Sequence, residues 1–247
     1  MTLRHHEIAE ANHRILDPFT DEKLRLLGEV AGVRSGTRVL DLACGKGEML
    51  CRWAEWFGAG GVGVDLSHVF SAAARDRATE LGVADRVMIV QGDASEYEAE
   101  PGAFDIASCL GATWIGGGLA GTMALLRPAI RPGGLLLVGE PFWHEPPPAE
   151  ALAAYGFGPG EDYVSLAETA ERLAAAGLEL LEMVLADADS WDRYEASQWL
   201  RISNWLAANP DDPDHAAMRE FLDANRETYL RWGRRYLGWG VFVTRPR

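Results

Sequence analysis

Short apolar runs alternate with helical stretches over the first 140 residues, and this alternation constrains the fold more than any other feature of the chain. The runs cover 38–43, 61–66, 86–93, 104–110 and 135–140, and helical patterns fill most of the intervals between them. Because the runs are apolar on both faces, each predicts a strand of a parallel sheet that helices cover on both sides. Right-handed crossovers then give a doubly wound sheet, which binds ligands at the carboxyl ends of its strands.

Further helices and strands flank this core, and Thr20 is a predicted N-cap at the start of one of them. The remaining predicted elements are helices at 5–16, 20–31, 67–81, 119–130, 165–176, 191–208 and 213–234, a turn at 131–134, and strands at 178–187 and 237–244. We therefore predict an α/β fold with one doubly wound, mostly parallel seven-stranded sheet. The chain is expected to form a single domain, with an N-terminal helical cap (1–33), a core (34–187 and 237–247) and a helical-hairpin lid (188–236).

Composition narrows the choice of partners. The formal net charge is -14 and the pI is about 4.8, which argues against nucleic acid, because proteins bind nucleic acid by neutralising its phosphates. The three cysteines fit neither a metal site nor a disulfide pattern, so we expect reduced thiols, no metal and a cytoplasmic protein. The N-terminus lacks an apolar signal core, and the sequence offers no stretch long enough to span a bilayer. Composition leaves open whether the protein is a monomer or a homodimer.

The segment V-L-D-L-A-C-G-K-G-E-M-L (39–50) predicts a buried strand, a glycine-rich turn and a helix, an arrangement that commonly holds a ligand. A phosphate-binding P-loop is excluded, because Lys46 is followed by Gly47 and no glycine precedes it at the required spacing. A dinucleotide fingerprint is weak. Gly45 and Gly47 supply its first two glycines and Asp65 its acid, but Leu50 stands where the third glycine should be.

Three aspartates follow neighbouring predicted strands and favour a different ligand. Asp41 precedes the glycine turn, where its charge would repel a pyrophosphate and suit an ammonium group, while Asp65 and Asp93 end the next two strands. A ligand with a cation, a ribose diol and an amino-purine would satisfy all three carboxylates. S-adenosylmethionine (SAM) has these features and no phosphate. Each aspartate taken alone could instead be a helix cap or a turn residue.

The chain resembles the class I SAM-dependent methyltransferases. At superfamily level the resemblance covers about 30–145 and lies in D-L-A-C-G-K-G (41–47), G-V-D-L-S (63–67), Q-G-D-A (91–94) and R-P-G-G (131–134). Over nearly the whole chain it is similar to a bacterial subfamily of small methyltransferases with no assigned substrate. That similarity lies in D-P-F-T-D-E-K (17–23), G-E-M-L-C-R-W-A (47–54), C-L-G-A-T-W-I (109–115), G-E-P-F-W (139–143), S-W-D-R-Y-E-A (190–196) and Y-L-G-W-G-V-F (236–242).

The resemblance implies SAM as the cofactor and an antiparallel last strand at 237–244. It also implies roles at the strand ends: the first motif around the methionine part, a ribose acceptor at Asp65, an adenine contact at Leu66 and an adenine-amino acceptor at Asp93. Ala43 stands where the family often has a glycine. The implied cofactor-binding residues are Asp41, Ala43, Gly45, Gly47, Asp65, Leu66, Asp93, Ala94, Cys109 and Leu110.

The acceptor is expected to be a small molecule. Methyl transfer from a sulfonium is an in-line displacement that depends mainly on orientation and exclusion of water, so a catalytic side chain is not obligatory. The candidate catalytic residues are His144, Glu140 and His13, and the candidate substrate-binding residues are Trp114, Trp143, Trp191 and Tyr194. The aromatic residues of 188–236 either cover a flat or cationic acceptor or simply pack the hairpin onto the sheet. Two alternatives stay open: a protein that binds SAM without methyl transfer, and an NAD-dependent oxidoreductase.

Overall fold

A seven-stranded sheet in the order β3-β2-β1-β4-β5-β7-β6 forms the centre of the computed structural model, which describes residues 2–157 and 163–247. The five strands β1 to β5 pair in parallel, and β7 is antiparallel to both of its neighbours. The strands are β1 (Arg38–Leu42), β2 (Gly60–Asp65), β3 (Val87–Gln91), β4 (Phe104–Leu110), β5 (Ile130–Trp143), β6 (Leu178–Leu185) and β7 (Leu237–Pro246). This confirms the predicted fold class, including the antiparallel last strand.

Helices cover both faces of the sheet. The larger ones are α1 (Leu3–Ala9), α2 (Asp21–Val30), α3 (Glu48–Phe57), α4 (His68–Glu80), α5 (Leu119–Leu126), α6 (Ala149–Ala154), α7 (Leu166–Ala175), α8 (Ala188–Ala208) and α9 (His215–Thr228), and a π-helical turn (Tyr229–Gly233) and a short helix (Arg234–Tyr236) lead into β7. Successive residues of one strand point to opposite faces of the sheet, and each face has its own hydrophobic core. Val39 packs in one core with Trp53 of α3, whereas Leu40 packs in the other with Met123 of α5. Every helix in the described ranges is too short or too polar to cross a bilayer.

Side-chain caps fix several helix starts close to their predicted positions. Thr20 accepts from the Lys23 amide at 3.3 Å, and Ser67 accepts from the Phe70 amide at 3.1 Å. The first predicted helix, however, ends at Ala9 instead of residue 16. The carbonyls of Glu10 and His13 accept from the Lys46 ammonium at 2.8 and 2.6 Å, so a tertiary donor satisfies them and the helix does not continue.

The fifth strand is also longer than predicted. The helix expected over 119–130 ends at Leu126, a short 3₁₀ turn follows, and β5 begins at Ile130 instead of residue 135. The predicted turn at 131–134 is a bulged part of β5, where the register against β4 shifts. At the other end, Trp143 pairs with Leu237 of β7, because the antiparallel neighbour continues the ladder beyond Glu140.

Helices α8 and α9 form the predicted helical hairpin and pack against α1. Their shared core contains Ile8 of α1, Ile202 and Trp205 of α8, and Met218 and Leu222 of α9. The N-terminal helix and the hairpin therefore form one structure over the carboxyl ends of the parallel strands. This confirms that the hairpin exists; its role as a lid stays a prediction.

Candidate functional site

A cavity of about 900 Å³ lies at the carboxyl ends of the parallel strands. The tips of β1, β2 and β4 form its floor, and α1, the segment 14–19 and α8 close it from above. This is the position at which doubly wound sheets bind ligands, and the volume is at the upper end of the range for ligand pockets. The residues predicted to bind a cofactor or substrate that line the cavity are Asp41, Ala43, Gly45, Asp65, Leu66, Asp93, Ala94, Leu110, Trp114, Trp191 and Tyr194, and the candidate catalytic residue Glu140 also lines it.

The turn after β1 is built from left-handed backbone. Gly45 and Gly47 have φ values of 54° and 65°, and Ala43 has φ 57°, the one positive φ of a non-glycine residue in the described ranges. A Cβ on Gly45 would lie 2.6 Å from Leu16 Cδ1, so a larger residue would need Leu16 to shift and would also be strained by the left-handed φ that glycine adopts freely. Gly47 does not line the cavity. Its Cα faces α4, where a Cβ would lie 3.0 Å from the Ala74 Cβ, so Gly47 supplies the close helix packing that Leu50 cannot.

Asp65 is buried and joins the turn to the end of β2. Its Oδ2 accepts from the Gly45 amide at 2.8 Å, and its Oδ1 accepts from the Ser67 amide at 2.9 Å. Burial raises the pKa of Asp65, while these two amide bonds oppose the shift. Each carboxylate oxygen keeps a lone pair for a further donor. The next residue, Leu66, is 58% exposed and presents an apolar surface to the cavity.

Asp41 is a buried carboxyl that lacks a positive partner among the described residues. It is 4% exposed, and its Oδ1 accepts from the Ser108 hydroxyl at 2.7 Å. Burial raises the pKa of Asp41 to about 7, and the charge of Asp65 adds to the shift. A buried carboxylate without a cation is costly, so a cationic ligand in the cavity would stabilise it.

Asp93 follows β3 and lies at the open side of the cavity. Its Oδ1 accepts from the amide and the hydroxyl of Ser95 at 2.8 and 2.6 Å, an Asx turn that lowers the pKa of Asp93. Asp93 is therefore a turn residue, which was the alternative interpretation of its position in the sequence. Its side chain nevertheless lines the cavity. Ala94, which follows, is buried and also lines it.

Several predicted site residues lie elsewhere. The Cys109 side chain packs in the core beneath the sheet, and burial raises the pKa of its thiol. Trp143 is buried in an aromatic cluster with Tyr155 and Tyr163, behind the cavity wall. His144 is exposed and packs edge-on against Phe142 at 5.0 Å, outside the cavity. The geometry therefore gives no support to His144 as a base, because strand β5 continues past Glu140 and carries the histidine to the surface.

A buried network around Glu10 was missed by sequence reasoning. Glu10 is 1% exposed; its Oε1 accepts from the Tyr194 hydroxyl at 2.7 Å and from the Gln198 amide at 2.9 Å, and its Oε2 lies 2.6 Å from His13 Nδ1. The His13 ring stacks on Tyr194, and its Nε2 bonds to the Ser197 hydroxyl. Both ring nitrogens are thus engaged, so His13 positions the N-terminal segment on α8. No local motif around Glu10 signals this, because Tyr194 and Gln198 lie 184 and 188 residues away.

The contacts of Lys46, the central residue of the glycine turn, do not suit phosphate binding. Its ammonium donates to the backbone carbonyls of Glu10, Ala11 and His13 at 2.8, 3.0 and 2.6 Å. It also lies 5.6 Å from the centre of the Phe70 ring. The turn is thereby tied directly to the segment that covers the cavity.

The far end of the cavity, beneath α8, is aromatic and acidic. We call it the acceptor end; its walls are Glu140, Tyr155, Tyr163, Trp191, Glu195 and Trp239. Glu140 Oε2 accepts from the Thr113 hydroxyl at 2.7 Å, and burial raises the pKa of Glu140. Trp114, beside Thr113, is 74% exposed at the rim. Of the hairpin aromatics, Trp191 and Tyr194 line the cavity, while Trp191, Tyr229 and Trp205 also pack in the cores; contact between these rings and an acceptor stays a prediction.

Several known proteins are similar to this chain in sequence and in fold. The family model for the methyltransferase domain matches residues 39–134. The uncharacterized protein YjhP of Escherichia coli strain K12 is 46% identical over 237 residues, which cover 96% of this chain and 95% of that protein. A SAM-dependent methyltransferase from Geobacter sulfurreducens, in complex with S-adenosyl-L-homocysteine (SAH), is 47% identical with a TM-score of 0.94, covering 100% of this chain and 99% of that one. Its counterpart from Thiobacillus denitrificans, also with SAH, is 45% identical with the same TM-score and coverage.

The chain belongs to the SAM-dependent methyltransferases. The prediction of SAM as cofactor and of methyl transfer as reaction is thereby confirmed, against both alternatives. The individual roles of the residues that line the cavity stay predictions, and they are taken up as proposals below.

Proposed function

We propose that this enzyme transfers the SAM methyl group to a small molecule that binds at the acceptor end of the same cavity. The observation that carries the proposal is one continuous cavity of about 900 Å³, which runs from the tips of β1 and β2 to the tip of β5 and lies under α1 and α8. An acceptor that must enter such a cavity is small. The net charge of -14 also disfavours a nucleic-acid acceptor.

In this proposal the tips of β1, β2 and β3 hold SAM, and the residues present fit it. The ionised Asp41 faces the ammonium group of the methionine part, directly or through water. Asp65 accepts from the ribose hydroxyls, Leu66 packs on the adenine, and Asp93 accepts from the adenine amino group. The backbone of Gly45 and Leu110 borders the methionine part. The buried Asp41 is the strongest support, because it is costly in the ligand-free protein and a cation would offset that cost.

SAM, when bound, supplies a methyl group on a sulfonium, a leaving group that needs no further activation. The protein has to align the acceptor with that methyl group and keep water away. The N-terminal cap (1–33) and the hairpin (188–236) exclude water, since Lys46 and Glu10 fasten the cap over the turn and Tyr194 joins it to α8. Glu140 and Glu195 are placed to orient the acceptor, and a base is needed only for an acceptor that loses a proton on attack.

The test is methylation of a bacterial extract with methyl-labelled SAM, followed by ultrafiltration into small molecules and macromolecules. We expect labelled small-molecule products that chromatography separates from SAM itself, with Asp65→Ala abolishing them and Glu171→Gln, an exposed substitution on α7, leaving them unchanged. Label confined to protein or nucleic acid would contradict the proposal.

A further inference from the structure

The two ends of the cavity are separate places on the sheet. The SAM end lies at the tips of β1, β2 and β3, whereas Glu140 ends the parallel part of β5 and Trp239 lies beside it on β7. In the observed strand order, β2 and β5 are three strand spacings apart, or about 14 Å at ~4.8 Å per spacing. The acceptor end is therefore available to a second molecule while the SAM end is filled.

Two carboxylates at the acceptor end have unused hydrogen-bonding capacity. Glu195 Oε1 accepts from the Trp191 indole at 3.3 Å, whereas the buried Oε2 has no hydrogen bond of normal geometry among the described residues and has only the Asn225 side chain as a weak donor nearby. Glu140 is held at one oxygen by the Thr113 hydroxyl. A buried carboxylate oxygen without a donor is costly, so a ligand that brings donors there would remove a penalty as well as form a bond.

The cationic side chains that line the cavity are engaged away from these carboxylates, and the basic groups that act on them lie outside the lining: Arg172 on α7 acts on Glu140, and His13 acts on Glu195. Among the described residues that line the cavity, Arg14 and Lys46 are the cationic ones. Lys46 is engaged with three backbone carbonyls, and Arg14 pairs with Glu80 on the surface at 3.3 Å. The acceptor end consequently has a negative field that would repel an anionic ligand and attract a cation.

Aromatic rings complete the acceptor end. Tyr155, Tyr163, Trp191 and Trp239 line it, and Trp239 is held edge-on by Phe19 at 4.8 Å. Ring faces attract cations and bury apolar surface, so an ammonium with an apolar body fits these walls better than a sugar or a carboxylic acid does.

We propose that the acceptor is an amine with an apolar or aromatic body, that Glu195 and Glu140 bind its nitrogen, and that this nitrogen receives the methyl group. This inference rests on the proposed small-molecule function and names its substrate class. The amine enters as an ammonium and forms charge-assisted hydrogen bonds to the two carboxylates.

The transfer then requires a neutral nitrogen. The ammonium gives one proton to Glu195, which leaves a lone pair on nitrogen. That lone pair attacks the methyl carbon, the carbon–sulfur bond breaks, and its electron pair stays on sulfur, giving SAH and an N-methylammonium product. Glu195 later returns its proton to solvent, so one proton is released for each methyl transferred. Burial raises the pKa of Glu195 to about 7, which suits a group that must take up and release a proton near neutrality.

Binding to the SAH complex tests the substrate class without depending on turnover. The wild-type protein is saturated with SAH and titrated by calorimetry with three probes of similar shape: 2-phenylethylamine, 2-phenylethanol and 3-phenylpropanoate. We expect the amine to bind at least about tenfold more tightly than the alcohol, because a charge-assisted hydrogen bond to a buried carboxylate is stronger than one between neutral groups. The carboxylate probe should bind most weakly.

Matched variants test whether Glu195 and Glu140 cause the preference for the amine. Glu195→Gln and Glu140→Gln should each reduce amine affinity about tenfold and leave the affinity for the alcohol and for SAH within about twofold. Glu171→Gln should change none of the three. Equal or tighter binding of the alcohol or the carboxylate, or an amine preference that survives both glutamine substitutions, would overturn the inference.

A failure of the amine inference can be distinguished from a failure of the proposed small-molecule function. If label from SAM enters only macromolecules, the small-molecule proposal fails, whatever the probes do. If label enters small molecules and mass spectrometry shows methylated hydroxyl, thiol or carbon groups, the proposed function stands and the amine inference falls.

Discussion

Replacing Asp41 with asparagine should stabilise the ligand-free enzyme, by an amount that grows with pH. Burial raises the pKa of Asp41 from its ordinary value of 3.8 to about 7. Each unit corresponds to about 1.4 kcal/mol, so the ionised carboxylate destabilises the folded state by about 4 kcal/mol at pH values well above 7. The cost is absent below the unfolded pKa and builds up as the pH rises to the folded pKa, because in that window the folded chain holds a proton that the unfolded chain has lost.

The assay is urea unfolding without SAM, followed by circular dichroism at two pH values. The free-energy gain of Asp41→Asn over wild type should be about 2 kcal/mol larger near pH 8.5 than near pH 5.5, because about half of the cost has already accrued at the lower pH. Asparagine keeps an acceptor for the Ser108 hydroxyl, and any cost of its amide group is independent of pH. Asp93→Asn is the control: Asp93 is exposed and its pKa is lowered, so its effect should not vary between these two pH values.

A gain that is the same at both pH values, or a loss that deepens with pH, would refute the argument from burial. The same substitution should weaken SAM binding about tenfold or more, since it removes the charge proposed to face the ammonium group. Asp41 would then be a residue that lowers stability in exchange for binding.

Further substitutions test the turn and its cover. Ala43→Gly should raise the free energy of unfolding by about 1 kcal/mol, since Ala43 has a left-handed φ that glycine adopts freely; a loss on urea unfolding would contradict this. Gly47→Ala should cost more than Gly32→Ala by about 1 kcal/mol, because both have a similar positive φ but only Gly47 faces a close neighbour; equal losses would refute the packing role. Lys46→Met should speed hydrogen exchange in 3–16, unlike the control Lys23→Met, and unchanged protection would show that the three carbonyl bonds do not hold the cover.

Most of the sheet could be predicted because its signals are local. Runs such as R-V-L-D-L-A are apolar on both faces, and Thr20 shows its cap in the sequence itself. The errors arose where a distant partner decides the structure. Lys46 takes the carbonyls that would have extended α1, and the pairing of Trp143 with Leu237 extends β5 beyond its predicted end. Neither contact can be predicted from the residues that are close to it in the sequence.

The residues of the candidate site also fall into two groups: those with a local signal in the sequence and those whose place is decided by distant contacts. The strand-end aspartates and the turn could be predicted to lie together because the fold brings successive strand ends together, and Asp41 and Asp65 line one cavity; their roles stay predictions. Glu10 and Glu195 were missed because they lie within ordinary helical sequence and gain their character from burial against remote elements. His144 was misplaced because the extension of β5 to Trp143 carries it past the cavity.

The most direct test of the proposed SAM site is calorimetric titration of the wild type and Asp65→Ala with SAM, SAH and NAD, with Asp65→Asn as a milder variant and Glu171→Gln as a control. We predict SAM and SAH binding on the order of micromolar, weakened about tenfold or more by loss of the buried carboxylate, and no binding of NAD. Folded Asp65 variants that bind SAM as tightly as the wild type would contradict the proposed site. Binding of NAD without SAM would contradict the cofactor itself.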